Sequence, residues 1–244
     1  GSLAPTGTVS FSGGSITLNN TIPSGTIDSL IGGTLLCNVS QTFPNVTISG
    51  TLGGSGNVSF PSGATLSGGT LTGTGLATVP FGSTVAFNTG TNTISKVLEI
   101  AGTANWTAAG LNFNSGTLNI LAGGVFNASA TANLANFGGS SSVNNAGTFN
   151  KSGGATAVSI LFNNSGLVNV DGGALTVAGN GTNSGTFDVD GGATLSFGGN
   201  YSYGASALLK GAGAIAFTNG THVLPAGSLA PTGTVSFSGG SITL

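Results

Sequence analysis

Residues 163–199 read NNSGLVNVDGGALTVAGNGTNSGTFDVDGGATLSFGG, and the spacing of the turns in this stretch decides the fold. Gly166 closes an Asn-Asn-Ser-Gly, and Gly185 closes a Thr-Asn-Ser-Gly further along. An Asn-Asn-Ala-Gly ends at Gly147, the same step before Gly166 that Gly185 lies after it, and one step more reaches Gly204. The Gly-Gly pairs at 153–154, 172–173 and 191–192 keep the same interval. Between these marks run short alternating segments: Val168 and Val170 on one side with Asn169 on the other, then Leu175 and Val177 with Thr176 opposed. That is the period of two expected of half-buried strands. β-Branched and aromatic residues fill the segments, and Gly and Asn tolerate the backbone of sharp corners.

A block of about 20 residues punctuated by two corners is the size of one coil of a parallel β-helix. One coil cannot bury its own apolar side, so it must stack on its neighbours, its backbone groups pairing with coils about 4.8 Å above and below. Equivalent side chains then lie over one another. Asn144, Asn163 and Thr182 are expected to stack at one corner, where amides hydrogen-bond along a ladder. Looser relatives occur earlier, as SGTIDSLIGG from Ser24, SGTLGG from Ser49 and SGTLNILAGG from Ser115. Their uneven spacing predicts bulges and longer turns in the N-terminal half. The expected fold is all-β, a parallel β-solenoid of roughly ten to eleven coils of about 19–25 residues, rising about 50 Å. A β-sandwich or barrel is the alternative, but such folds do not usually repeat at this short interval.

A second, longer repeat frames the first. Residues 1–18, GSLAPTGTVSFSGGSITL, recur without a difference at 227–244. Residues 1–226 read as one complete large unit and 227–244 as the start of the next identical one; a duplicated overlap would read the same. Composition fits an inert solenoid. Only 3% of the 244 residues are charged, against about a quarter in ordinary domains. With 46 glycines, one cysteine and 39% hydrophobic residues, the chain is neither disordered by composition nor collagen-like. It has no apolar run of the roughly 20 residues that span a membrane. A net charge of −2 offers no footprint for nucleic acid or anionic lipid. Cys37 reads as a small buried apolar residue.

Residues 144–200, and less sharply the rest, resemble the β-strand repeats of bacterial secreted surface proteins, among them autotransporter passengers and filamentous-haemagglutinin-like adhesins. The resemblance implies a right-handed β-helix, export to the cell surface, and a role in adhesion, matrix or filaments.

Few residues are suited to chemistry. The titratable set is Asp28, Glu99, Asp171, Asp188, Asp190, His222, Lys96, Lys151 and Lys210, with Cys37 and two tyrosines. Catalysis needs such groups to converge. A Ser-His-Asp arrangement would have to use His222, which lies in the turn-like TNGTHVLP and reads as solvent-exposed. Asp171, Asp188 and Asp190 form one acidic cluster, with Asp171 and Asp190 one coil apart. They are weak candidates for Ca²⁺, and solvated turn residues are the plainer reading. No catalytic residue and no cofactor are assigned. Lys151 aligns with the inward Val170 and Val189, so either its ammonium snorkels outward or that block departs from the coil. Trp106, Tyr201 and Tyr203 offer a sugar-stacking platform or, more simply, core packing.

The function these features point to is structural: a segment of an extracellular or cell-surface tandem-repeat fibre. It would stack end to end with identical units and bundle laterally through uncharged faces. The alternative is an adhesin that binds glycans or a host surface. A carbohydrate-active enzyme comes third, since it requires a groove with at least two convergent acids.

Overall fold

The computed structural model of the chain describes residues 9–23, 27–30, 32–107 and 110–244, with 27–30 as backbone alone. Residues 1–8 of the long repeat, much of the segment from Ser24, and the Asp28 side chain lie outside the described residues. The described residues form strands and turns without a helix. The strands make three parallel sheets of 12, 12 and 11 strands, and each strand pairs with the equivalents one coil before and one coil after. The result is a β-solenoid of about 11 turns.

The alternation anticipated in the sequence sets which side chains point in. Leu167–Val170 places Val168 and Val170 inside and pairs with Thr186–Val189 in the first sheet. Ala174–Val177 turns Leu175 and Val177 inward in the second sheet. The third sheet carries Leu161–Asn164. Three inward faces meet in one continuous core whose side chains stack in columns. Phe126 lies on Phe149 with ring centres 5.2 Å apart, and Phe217 lies on Phe197 at 5.5 Å and on Phe237 at 5.3 Å. Such offset stacking adds to the apolar area each ring buries.

Glycine serves the corners in two ways. In the pairs 172–173 and 191–192 the second residue is left-handed, with φ of +70° at Gly173 and +89° at Gly192, where a Cβ is strained. Gly147, Gly166 and Gly185 are needed for close approach instead. A Cβ at Gly166 would lie 2.2 Å from the Gly147 carbonyl oxygen, and one at Gly185 would lie 2.1 Å from that of Gly166. The three are piled in a column, and their carbonyls accept the amides of Leu167, Thr186 and Leu208 in turn. Gly204 stands beside this column. Its amide donates to the Asn183 carbonyl at 2.7 Å, and the chain turns through Ala207 before Leu208 reaches Gly185.

The irregularity expected of the N-terminal half is present as register shifts at Val9/Ser10, Phe87/Thr89 and Phe113/Asn114. The longest coil runs from Thr117 to its partner Ser142, a separation of 25 along the chain.

Candidate functional site

The side chains capable of chemistry are dispersed. Asp188 points outward from the first sheet and forms an ion pair with Lys210 at 2.7 Å. Asp171 and Asp190 follow the paired Val170 and Val189, so they stack at the next corner. Burial holds the Asp171 carboxyl above its ordinary range, and the charges of Asp190 and Asp188 push it the same way. Among the described residues no three His, Cys, Asp or Glu side chains gather as a metal site.

His222 corrects the expectation of an exposed ring: it is fully buried. It alternates inward in Thr221–Val223, pairing with Tyr201 of the coil below. Its Nε2 lies 2.9 Å from the Asn219 carbonyl and its Nδ1 lies 3.1 Å from the Tyr203 hydroxyl. A neutral ring protonated at Nε2 satisfies both contacts, donating to Asn219 and accepting from Tyr203. Burial holds its pKa below the usual value, partly offset by the bond to Asn219. Trp106 and Tyr201 are also in the core, Tyr201 donating to the Phe162 carbonyl at 2.6 Å. Neither is available as a sugar platform.

Lys151 is wholly buried between Ala128 and Val170, and its ammonium turns back to the Gly153 carbonyl instead of reaching water. Lys96 is stranger. Register places Cys37, Gly54, Gly73 and Lys96 at one corner position in four successive coils, where Cys37 and Lys96 are buried, Gly54 is half-buried and Gly73 is exposed. The two glycines leave that column without side chains, and the Lys96 Nζ is buried with no hydrogen-bond partner. Burial pushes the Cys37 thiol up to about 11, and the Lys96 charge pulls in the opposite direction.

The amide ladders are the most extensive polar feature. Asn119, Asn144, Asn163 and Thr182 are linked at 2.9, 2.9 and 3.0 Å along the third sheet. They occupy the outward face of the strands and not a corner, which corrects the sequence reading. The first sheet carries a parallel ladder through Asn105, Asn127, Asn150 and Asn169. The corner itself holds a ladder that sequence reasoning missed: Asn145, Asn164 and Asn183, all buried, linked at 2.8 and 2.9 Å. Parity was the available signal, since Asn164 lies two residues beyond the inward Phe162.

A concave site lies apart from these groups. The long coil between Thr117 and Ser142 places most of its extra residues at the corner between the second and third sheets, where a groove of about 650 Å³ opens. Asn136, Ser140, Ser141, Ser159, Leu161 and Asn180 line it, and none of its lining residues is ionisable. The Ser141 hydroxyl is buried without a partner. Phe137, in the strand that precedes the groove, is 67% exposed. This surface can hydrogen-bond and make apolar contact but has no group that exchanges protons near neutral pH.

No protein-family model, curated protein or solved structure matches the chain. The likeness to bacterial surface repeats therefore rests on the coil motif and the solenoid it builds.

Proposed function

We propose that the chain is a structural segment of an extracellular or cell-surface fibre in which large units stack end to end as one solenoid. The observation that carries this is the seating of the repeated segment. Residues 227–244 add one further strand to each of the three sheets, at Leu229–Pro231, Val235–Phe237 and Ser241–Thr243. Continuing the stack covers sheet edges that would otherwise be open to unspecific pairing. It also buries apolar groups at the ends, such as Phe237 and Ile16. The low charge supports lateral bundling, because little repulsion opposes it, and it favours copies of the unit over nucleic acid as partners. The reading assigns no catalysis: Asp188 is held by Lys210 and His222 is sequestered as a neutral ring. Export rests on the resemblance and on a chain rich in Ser, Thr, Asn and Gly whose three tryptic lysines include the buried Lys96 and Lys151. Negative-stain microscopy of the native assembly should show unbranched fibres. Compact globules would overturn the reading.

The uncharged groove favours a second role, as an adhesive site for neutral glycans. Hydroxyls and amides suit polyol recognition, and an exposed Phe137 suits contact with a sugar face. A glycan array probed with the chain should give binding that Ser141→Val removes by filling the groove floor. An unchanged array pattern in the variant, or no binding to any glycan, would count against it.

A further inference from the structure

The two copies of the 18-residue segment occupy different faces of the solenoid. In the first copy, Val9–Phe11 belongs to the first sheet, pairing with Ile27–Leu30, and Ser15–Leu18 belongs to the second, pairing with Thr34–Cys37. In the second copy, Val235–Phe237 belongs to the second sheet, pairing with Ala214–Phe217, and Ser241–Thr243 belongs to the third, pairing with Thr221–Val223. The same residues lie one face further round.

The inward parity is nevertheless preserved. Phe11 is buried, and its equivalent Phe237 stacks on the core ring of Phe217. Ile16 pairs with the inward Leu35, and its equivalent Ile242 pairs with the inward His222. Both seatings satisfy the binary pattern, so neither is an inverted register of the kind that exposes the apolar set.

The two sets of pairings also use opposite edges of the segment. The first copy bonds only to the coil that follows it, and the second only to the coil that precedes it. Where one unit runs into the next, a single copy can make both sets at once. It does so only if the following unit is displaced by one face. The first sheet takes 11 steps from Val9–Phe11 to Leu229–Pro231, and Val235–Phe237 is one face beyond.

We infer that successive units of the array are rotated by about one third of a turn, each advancing the solenoid by about 11⅓ coils and about 54 Å. This inference rests on the end-to-end reading above. Three units, about 34 coils and roughly 160 Å, bring the faces back into phase. Any feature confined to one face, such as the Asn144–Asn163 ladder or the groove, is then presented in three directions around the fibre. The partner that fits this geometry is a second array. Neighbours can be engaged on three sides, giving bundles in preference to flat ribbons.

The seating can be tested on the chain itself by disulfide trapping at outward positions. Ser236 pairs with Ala216 of the coil below, at a backbone spacing of about 4.8 Å that a disulfide bridges. If Val235–Phe237 instead took the face that Val9–Phe11 takes, Ser236 would lie over Lys210. Under mild oxidation, Ser236→Cys with Ala216→Cys should link within the chain, and Ser236→Cys with Lys210→Cys should not, as read by mass spectrometry of the linked peptides. A 210–236 link, or no link in either variant, overturns the inference. In native arrays, helical reconstruction should give a rotation near 120° per unit. Fibres of the expected rise with no face rotation would overturn the inference and leave the fibre intact. Absence of fibres would overturn the fibre reading itself.

Discussion

On the third sheet, Asn163 follows its partner Asn144 at a separation of 19 along the chain, whereas Ser142 follows Thr117 at a separation of 25. Both coils nevertheless contribute the same kind of inward column. Leu118, Val143 and Phe162 follow one another across the two steps, each essentially fully buried. The extra residues of the longer coil leave at corners, most of them just after the strand that carries the solvated Phe137. The cross-section of the core is therefore held constant, and coil length is free to vary at the corners. This agrees with the slow growth of closure entropy with loop length. Regular coils build the scaffold, and the irregular one builds the concave surface.

The sharpest way to break the regular stack is at its closest contact. Gly166→Val drives a side chain into the Gly147 backbone, because even a Cβ there would lie 2.2 Å from the carbonyl oxygen. A loss on the order of 3 kcal/mol or more is expected, seen as a large fall in melting temperature or a failure to fold. Gly192→Ala is the matched control. Its φ is +89°, but nothing lies within 4 Å of the added atom, so the cost should be the left-handed penalty of about 1–2 kcal/mol. Equal losses at the two positions would mean that the glycine column is not held by close approach.

The two kinds of amide ladder should separate next. Asn164 donates to Asn183 Oδ1 and accepts from Asn145 Nδ2 in the interior. Asn164→Ala removes a buried acceptor from Asn145 and a buried donor from Asn183, which keep only their bonds to the Leu167 carbonyl and the Gly185 amide, and should cost about 1–3 kcal/mol. Asn163→Ala, one residue away on the solvated face, should cost about 0.5 kcal/mol. Urea melts of the two variants compare them directly, and a reversal of that order would contradict the inward assignment.

Lys96 predicts a change of opposite sign. Its Nζ is buried without a hydrogen-bond partner, and burial lowers its pKa. Lys96→Met keeps the stem in the column above Gly73 and Gly54 and removes the stranded charge. A gain of about 1–3 kcal/mol is expected. A loss would mean that the ammonium contributes to holding the corner.

Much of the scaffold is legible in the sequence because stacking converts an interval along the chain into adjacency in space. Glycines recurring at one fixed step and the V-x-V alternation need no further information. The corner ladder is harder to read. In Asn-Asn-Ser-Gly the two amides look alike, and which one enters the core depends on counting from Phe162 and not on residue type. His222, Trp106 and Tyr201 escape for the related reason that polar or amphipathic residues invite a reading by their chemistry when parity already places them inside. The groove is the least legible. Coil length reveals that residues are in excess between Thr117 and Ser142, but not that most of them leave at the corner between the second and third sheets. The shift by one face at the long repeat is likewise hidden, because identical sequence invites the assumption of identical placement.

The smallest predicted effect is a difference in pH dependence between the interior and the corner. His222 is held neutral, so its folded pKa lies below the ordinary 6.5. The unfolded chain then binds the proton first, and the stability His222 contributes is present above about 6.5 and is lost as pH falls below it. Asp171 works in the opposite sense. Its folded pKa is raised above 3.8, so its contribution is present below that value and is lost as pH rises through the raised one. The melting temperature should therefore decline as pH falls below 6.5 and recover in part as it falls further toward 3.8. In His222→Phe the first decline should flatten, because the replacement ring can pack against Phe217, whose ring centre lies 4.9 Å from that of the imidazole, and carries no proton. In Asp171→Asn the recovery should shrink and the decline persist. Parallel profiles for wild type and His222→Phe as pH falls through 6.5 would mean that the imidazole takes up its proton as readily in the folded chain as in the unfolded one. The pairing of Nδ1 with the Tyr203 hydroxyl, and with it the inward placement of the last complete coil, would then have to be redrawn.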